Sequence, residues 1–202
     1  MGKFEIKADF NEYKRVFLEE NSKLNLISKN DEKFLFEKHI YDSLSLKLFL
    51  EKYNLKKANL LDIGCGGGFP CVPLAIEFNE LKIVGIDSIR KKINSINAIK
   101  TALGLENLTT ICDRVENLKG KSFDIITSRA VADLGKICDY ALPLLKKDGY
   151  FVAYKSKKAL EELENAKPVL EKFNAEVKDI INYTLPLEEV YERNLIVIGF
   201  KN

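Results

Sequence analysis

The sequence predicts an α/β chain: a mostly parallel sheet with helices on both faces, preceded by a block of helices. Three observations predict it. From residue 59 onward, short apolar runs alternate with stretches of helical period. The first of those runs ends in LLDIGCGGG over 60–68, an apolar strand that stops at an acid and three alternating glycines. The last two apolar runs, 176–184 and 193–200, have no helical stretch between them.

The elements follow in order. Residues 8–53 read as helical, because Phe10, Tyr13, Val16, Phe17 and Leu18, then Phe34, Phe36, Ile40, Leu44 and Leu48, recur near helical spacing. A polar stretch from Asn54 to Asn59 separates them from the glycines. Strands are expected at 59–63, 82–87, 108–112, 123–128 and 149–155. The helices between and after them are expected at 71–78, 89–103, 133–145 and 157–173, with Gly104 as a C-cap. Such alternation places helices on both faces of a parallel sheet. The two final runs read as a hairpin that adds an antiparallel strand at the sheet edge.

At 202 residues and 46% hydrophobic composition, the chain is long enough for a sizeable core and is read as a single domain. Residues 1–55 form the helical extension and 56–202 the ligand-binding core. The net charge of +2 does not by itself imply nucleic acid. The start, MGKFEIKADFNEYKR, is charged and unlike a signal peptide. No run approaches the roughly 18 apolar residues of a membrane span. Four cysteines (Cys65, Cys71, Cys112, Cys138) without a C-x-x-C pair, and a single histidine, His39, argue against a zinc site. A cytoplasmic protein without a metal is expected.

The glycine turn and the acid after it carry the functional reading. Gly64, Gly66 and Gly68 allow positive φ and close approach of backbone to a ligand. The helix that follows offers free N–H groups and a positive dipole end. Asp87 closes the next apolar run, where an acid can accept hydrogen bonds from both hydroxyls of a ribose. The dinucleotide pattern G-x-G-x-x-G, started at Gly64, would place its third glycine on Phe69. G-x-G-x-G preceded by Asp62 is instead the form of class I S-adenosylmethionine (SAM) methyltransferases, Rossmann-like enzymes with a seven-stranded sheet and an antiparallel last strand. Asp62 is then a plausible neighbour for the cofactor's cationic end. A tight strand-to-helix turn that binds nothing, with Pro70 as the first helical residue, is the alternative.

Several segments together resemble one family, the bacterial 16S rRNA (guanine-N7) methyltransferases, also called glucose-inhibited division protein B. They are KLNLIS at 23–28, EKHIYDSL at 37–44, LLDIGCGGGFPCVPLAI at 60–76, IDSIRKKINSI at 86–96, RVENL at 114–118, FDIITSRAVADL at 123–134 and PLLKKDGYFVAYKS at 143–156. The chain departs from the family at Cys65, Cys71 and Ser156. The resemblance implies SAM as cofactor, with Gly64 and Phe69 (and Gly66 between them) at its methionine part, Asp87 at the ribose and Val115 and Glu116 at the adenine. Arg129 would line the cleft and position substrate or cofactor. The implied partner is 16S rRNA, in the small ribosomal subunit or its precursor, methylated at a guanine of the 530 loop.

Guanine N7 has a free lone pair and needs no deprotonation before it attacks a methyl group. A dedicated base is therefore not expected, and no catalytic residue is assigned. The Asn/Asp-Pro-Pro-Tyr/Phe motif of exocyclic-amine methyltransferases is replaced by Ser128-Arg129-Ala130, and Cys71 in Pro70-Cys71 is expected to be a packing residue. Asp42 and Ser43 are expected to cap the following helix, and His39 to order the N-terminal helices or touch RNA. Arg129 is expected to bind phosphate or stack on a base. Basic residues cluster at Arg90-Lys91-Lys92, Lys146-Lys147 and Lys155-Lys157-Lys158, the first and last on the cofactor side. A methyltransferase for a small molecule or protein, a non-catalytic nucleotide- or RNA-binding module, and a nicotinamide-dependent oxidoreductase remain alternatives.

Overall fold

A computed structural model describes residues 4–156 and 159–201. The N-terminal block holds α1 (Asn11–Leu24), a short helix α2 (Lys29–Glu32), a π-helical segment (Leu35–Tyr41), and two further turns, α3 (Asp42–Leu44) and α4 (Leu46–Lys52). The core then runs β1 (Ala58–Ile63), α5 (Cys71–Glu77), β2 (Leu81–Asp87), α6 (Arg90–Leu103), β3 (Leu108–Cys112) and β4 (Phe123–Arg129). It ends with α7 (Leu134–Ala141), β5 (Leu145–Ser156), α8 (Ala159–Lys172), β6 (Ala175–Leu185) and β7 (Tyr191–Phe200).

The strands form one seven-stranded sheet in the order β3-β2-β1-β4-β5-β7-β6. β1 to β5 pair in parallel, and β7 is antiparallel to both neighbours. The expected hairpin is present, but its antiparallel strand is not at the edge: β7 inserts between β5 and β6. Burial explains the order. From Asn194 to Gly199 every β7 residue is buried, whereas much of β6 is only partly covered. A strand apolar on both faces gains most from an interior position.

Two apolar layers sandwich the sheet, and alternate strand residues enter each. Leu60, Ile83, Ile125, Val152 and Val197 meet α1, α4, α5 and α6 on one face. Leu61, Ile86, Ile126, Phe151 and Ile196 meet α7 and α8 on the other. The first layer continues from the sheet into Phe10, Tyr13, Phe17, Ile40, Leu44 and Phe49, so the N-terminal helices pack on the core. The expected helix 133–145 is shorter than its sequence signal. A 3-10 turn at Leu142–Leu144 follows α7, and Leu145 already pairs with Phe123 in the sheet. No helix among the described residues is long and apolar enough to cross a membrane.

Truncating Phe151, which is fully buried between the sheet and α8, to alanine is expected to cost about 3–5 kcal/mol. Ile180→Thr on the half-covered edge strand β6 should cost less than about 1 kcal/mol. Urea unfolding midpoints of the two variants check the contrast.

Candidate functional site: a cleft at the carboxyl ends of the strands

The turn after β1 is built from glycine because its backbone demands it. Gly64 has φ +70°, and a Cβ there would sit 2.5 Å from Val131 Cγ2. Gly68 has φ +93°, and a Cβ there would sit 2.7 Å from Val72 Cγ2. The amides of Gly64 and Cys65 both donate to Ile86 O, at 2.8 and 3.1 Å, which fastens the turn to the end of β2. Pro70, in a cis peptide bond with Phe69, stands at the N-cap of α5 and not inside its first turn.

This turn, the end of β2, the 3-10 turn Val115–Asn117 after β3 and the end of β4 enclose a cleft of about 610 Å³. Gly64, Gly66, Phe69, Asp87, Val115, Glu116 and Arg129 all line it. Leu26, Ile27, His39, Lys92, Arg114 and Val131 also line it, and of these His39 and, within a basic cluster, Lys92 were singled out from sequence. A larger open groove of about 1180 Å³ lies at the opposite, N-terminal ends of β1, β2 and β4. Ligands of open α/β sheets bind at the carboxyl ends, which favours the smaller cleft.

Asp87 is half-buried and accepts from Gly66 N at 2.9 Å and from Ile89 N at 2.8 Å. A carboxylate has roughly four acceptor positions, so capacity remains for two hydroxyls. A cleft within the roughly 300–1,000 Å³ usual for small-molecule sites, a backbone that admits close approach and an acid with spare acceptor capacity together fit a nucleoside cofactor.

Asp62 departs from the sequence reading. It is fully buried beneath the turn and is not part of the cleft wall. Its Oδ2 accepts from Cys71 N at 3.2 Å and its Oδ1 from Thr127 Oγ1 at 3.0 Å, so it holds α5 to β4. Burial pushes its carboxyl up to about 7, against the hydrogen bonds from Thr127 and Cys71. Cys65 and Cys71 are buried with it. Their sulfurs lie beside Gly85, where a Cβ would come within 3.2 Å of each. The hydrogen bond that the Cys71 thiol donates to Cys65, together with burial, holds that thiol far above its usual range, as suits a packing residue.

The second correction concerns Asp42 and Ser43, which cap nothing. Asp42 is 1% exposed and gathers four donor contacts. Arg129 Nη1 donates to its Oδ2 at 2.9 Å, and Tyr183 OH to its Oδ1 at 2.6 Å. Arg193 donates through Nε and Nη2, each at 3.1 Å. Burial raises the Asp42 pKa, but Arg193, Arg129 and Tyr183 outweigh it and hold the carboxyl below its ordinary value. Ser43 Oγ donates to His39 O at 2.6 Å, and Tyr154 OH donates to Ser43 O at 2.7 Å. Tyr183 and Arg193 escaped the sequence reading; the one available signal was a cation heading the apolar run of β7.

Arg129 therefore does not offer a free guanidinium. Besides Asp42 it donates to Lys38 O at 3.1 Å and to His39 Nδ1 at 2.9 Å, and it lies 5.1 Å over the Phe69 ring. The expected stacking on a base is, in this structure, stacking on Phe69. Arginine can only donate, so His39 Nδ1 accepts and the ring proton sits on Nε2. Burial, reinforced by Arg129, lowers the His39 pKa to about 4, so the imidazole is neutral near pH 7. Phe69 also meets Phe17 at 5.1 Å and His39 at 5.0 Å between ring centroids, which packs α1 and the π-helical segment onto the glycine turn.

The basic clusters divide. Lys92 and Arg114 line the cleft, and Arg90 and Lys91 are exposed beside it. Lys146 lies near the start of β5, away from the cleft, and pairs with Asp124 at 2.7 Å. Lys155 is spent on Ala132 O and Glu162. Lys157 and Lys158 lie outside the described residues.

Comparison with known proteins adds four findings. The family model described as GidB, rRNA small subunit methyltransferase G, matches residues 6–195. A protein of Oceanobacillus iheyensis named ribosomal RNA small subunit methyltransferase G is 41% identical over 194 residues, covering 94% of this chain and 80% of that relative. Its namesake from Staphylococcus saprophyticus is 40% identical over 196 residues, covering 95% of this chain and 81% of the relative. Among solved structures, M. jannaschii TYW2 in complex with AdoMet superposes with a TM-score of 0.61 at 15% identity, over 79% of this chain and 77% of the other. At that identity the likeness is one of fold.

The two shifted buried groups give opposite pH dependences. Asp62 keeps its proton in the folded chain up to about 7, against an ordinary 3.8, so its contribution to stability falls as pH rises through that window. His39 titrates at about 4, against an ordinary 6.5, so its contribution is full above 6.5 and is lost as pH falls toward 4. Asp62→Asn removes only the first. Between about pH 4.5 and 6.5 the variant's stability should gain on the wild type by roughly 1.4 kcal/mol per pH unit. Urea titrations at a series of pH values check it; parallel profiles would mean that Asp62 is ionised throughout.

Proposed function

This chain belongs to the GidB, rRNA small subunit methyltransferase G, family, and from that premise we propose that it transfers a methyl group from SAM to N7 of a guanine in 16S rRNA. The observation that carries the reaction type is the end of β4. The side chains there are Ser128, which is buried, and Arg129, whose guanidinium is committed to Asp42, His39 and Phe69. Neither is a base, and guanine N7 needs none.

The residues divide the work. Gly64, Gly66 and Phe69 would hold the methionine part of the cofactor, Asp87 its ribose, and Val115 and Glu116 its adenine; all of them line the cleft. When bound, SAM supplies a methyl group on a cationic sulfur. The N7 lone pair would form the new N–C bond as the S–C bonding pair withdrew onto sulfur, which would leave a neutral thioether and a positive charge on the base with no proton moved. Catalysis is then mainly alignment, worth about 7–11 kcal/mol in favourable cases. The N-terminal helices, clamped to the turn through Phe69 and to β4 through Arg129, supply the wall against which the base is aligned. Lys92 and Arg114 neutralise phosphate at the mouth, which makes RNA binding salt-dependent. The target guanine must leave its stack or already be unpaired, which suits an rRNA loop such as the 530 loop.

Asp87→Ala should weaken SAM binding by about 1.5–3 kcal/mol for each hydrogen bond lost to the charged carboxylate. Calorimetry measures it, and unchanged affinity would remove Asp87 from the ribose role. For the substrate, N7-methylguanosine in small-subunit rRNA is mapped in cells with and without the gene. One position should lose its methyl group on deletion and regain it on complementation. An unchanged map would exclude the rRNA substrate while leaving the cofactor assignment intact.

A further inference from the structure

The His39 Nε2–H is buried in the wall of the cleft and has no hydrogen-bond partner among the described residues. It is the one side-chain polar atom of the cleft wall in that condition. A buried donor without an acceptor is costly, and such groups are rare in folded chains. Two neighbours keep it there. Arg129 Nη2 occupies Nδ1 at 2.9 Å and so fixes the proton on Nε2, and the Phe69 ring lies 5.0 Å from the imidazole. The Asp42 carboxylate in turn holds Arg129. The donor is thus set by a chain of contacts that begins in the protein core.

Its position narrows what it is for. The cleft runs from Val115 and Glu116, past Asp87 and the glycine turn, to Phe69, Arg129 and His39. With the ribose at Asp87, the far end is where the methyl group meets its acceptor. Guanine presents N7 and O6 as adjacent acceptors on one edge, whereas adenine presents N7 beside an N6 amino donor. A neutral N–H donor at that end accepts guanine and opposes adenine, since two donors would face each other. Being uncharged, the imidazole also does not repel the positive charge that the base acquires on N7 methylation. A histidinium would.

We propose that His39 is the specificity residue for the methyl acceptor: its Nε2–H donates to guanine O6 while N7 faces the methyl group. The proposal rests on the guanine-N7 reading above. Because Nε2 is covered in this structure, it includes a small movement of the covering wall as the base enters.

The test is a cycle in single-turnover methylation, with small-subunit RNA carrying either guanine or 2-aminopurine at the target position. 2-Aminopurine keeps N7 and lacks O6. Wild-type protein should be about 10-fold slower on 2-aminopurine, the value of one hydrogen bond. His39→Ala should be about 10-fold slower on guanine and indifferent to the exchange. His39→Gln, which keeps an N–H donor, should recover part of the preference for guanine. SAM affinity of both variants, by calorimetry, should stay within about 2-fold of wild type, and their melting curves identify a variant that has merely lost its fold. A His39→Ala protein that is folded yet as sensitive to the exchange as wild type overturns the proposal. So does a variant whose defect is a loss of SAM affinity, which would place the donor on the cofactor. Wild-type protein that binds SAM but methylates neither RNA overturns the guanine-N7 reading itself, and the proposal with it.

Discussion

One carboxylate, buried among two guanidiniums and a phenol, ties together the parts of this chain on which the cleft depends. Asp42 belongs to the N-terminal block, Arg129 to the end of β4, Tyr183 to β6 and Arg193 to β7. Charges this deep in the protein are costly to desolvate, and the cost is offset only when geometry and hydrogen bonding are good. Here the two carboxylate oxygens receive four donor contacts, and Tyr154 adds a bond from β5 to the adjacent Ser43 carbonyl. Removing Asp42 would strand two cations in a low-dielectric interior. That asymmetry makes the N-terminal helices part of the cleft wall rather than an appendage.

The same arrangement decides what Arg129 can be. A guanidinium at the end of a strand beside a cofactor cleft would suit a phosphate or a base. Three of its five N–H donors, however, go to Asp42, the Lys38 carbonyl and His39, and its face lies over Phe69. Its contribution is to hold other groups: Phe69 against the turn, and His39 in one tautomer. The electrostatics follow. Near neutral pH the imidazole is uncharged, and the cleft wall carries two further basic residues, the partly buried Lys92 and the exposed Arg114.

The turn shows how one motif can serve two ends. Its upper side lines the cleft through Gly64, Gly66 and Phe69, with Asp87 beside it accepting from Gly66 N. Its lower side is a small buried polar layer in which Asp62 joins the start of α5 to Thr127 on β4, next to the packed thiols of Cys65 and Cys71. Gly85 keeps that layer possible, since a side chain there would meet both sulfurs. Of the departures from the family pattern, Cys71 falls beneath the turn, whereas Cys65 packs against it there and also borders the cleft.

The parallel sheet, the glycine turn and the acid at Asp87 were legible in the sequence because each is encoded locally. Period-two and helical spacing, a run of glycines and an acid at a strand end need only a few neighbouring residues. The position of β7 was not, because a hairpin can add either strand to a sheet; the fuller burial of β7 decides the matter once β5 is in place. Asp62 looked like a cofactor ligand because its neighbours Leu61 and Ile63 are both buried, so a strand covered on both faces carries no alternation to say which way an acid points. The Asp42 hub was invisible for another reason. Its partners lie 87, 141 and 151 residues away, and pairings at that range are chosen by the folded sheet. The sequence by itself determined which residues could meet a nucleoside cofactor; the tertiary structure alone decided which buried charges hold that site together, because only packing brings a helix turn and three strand ends to one carboxylate.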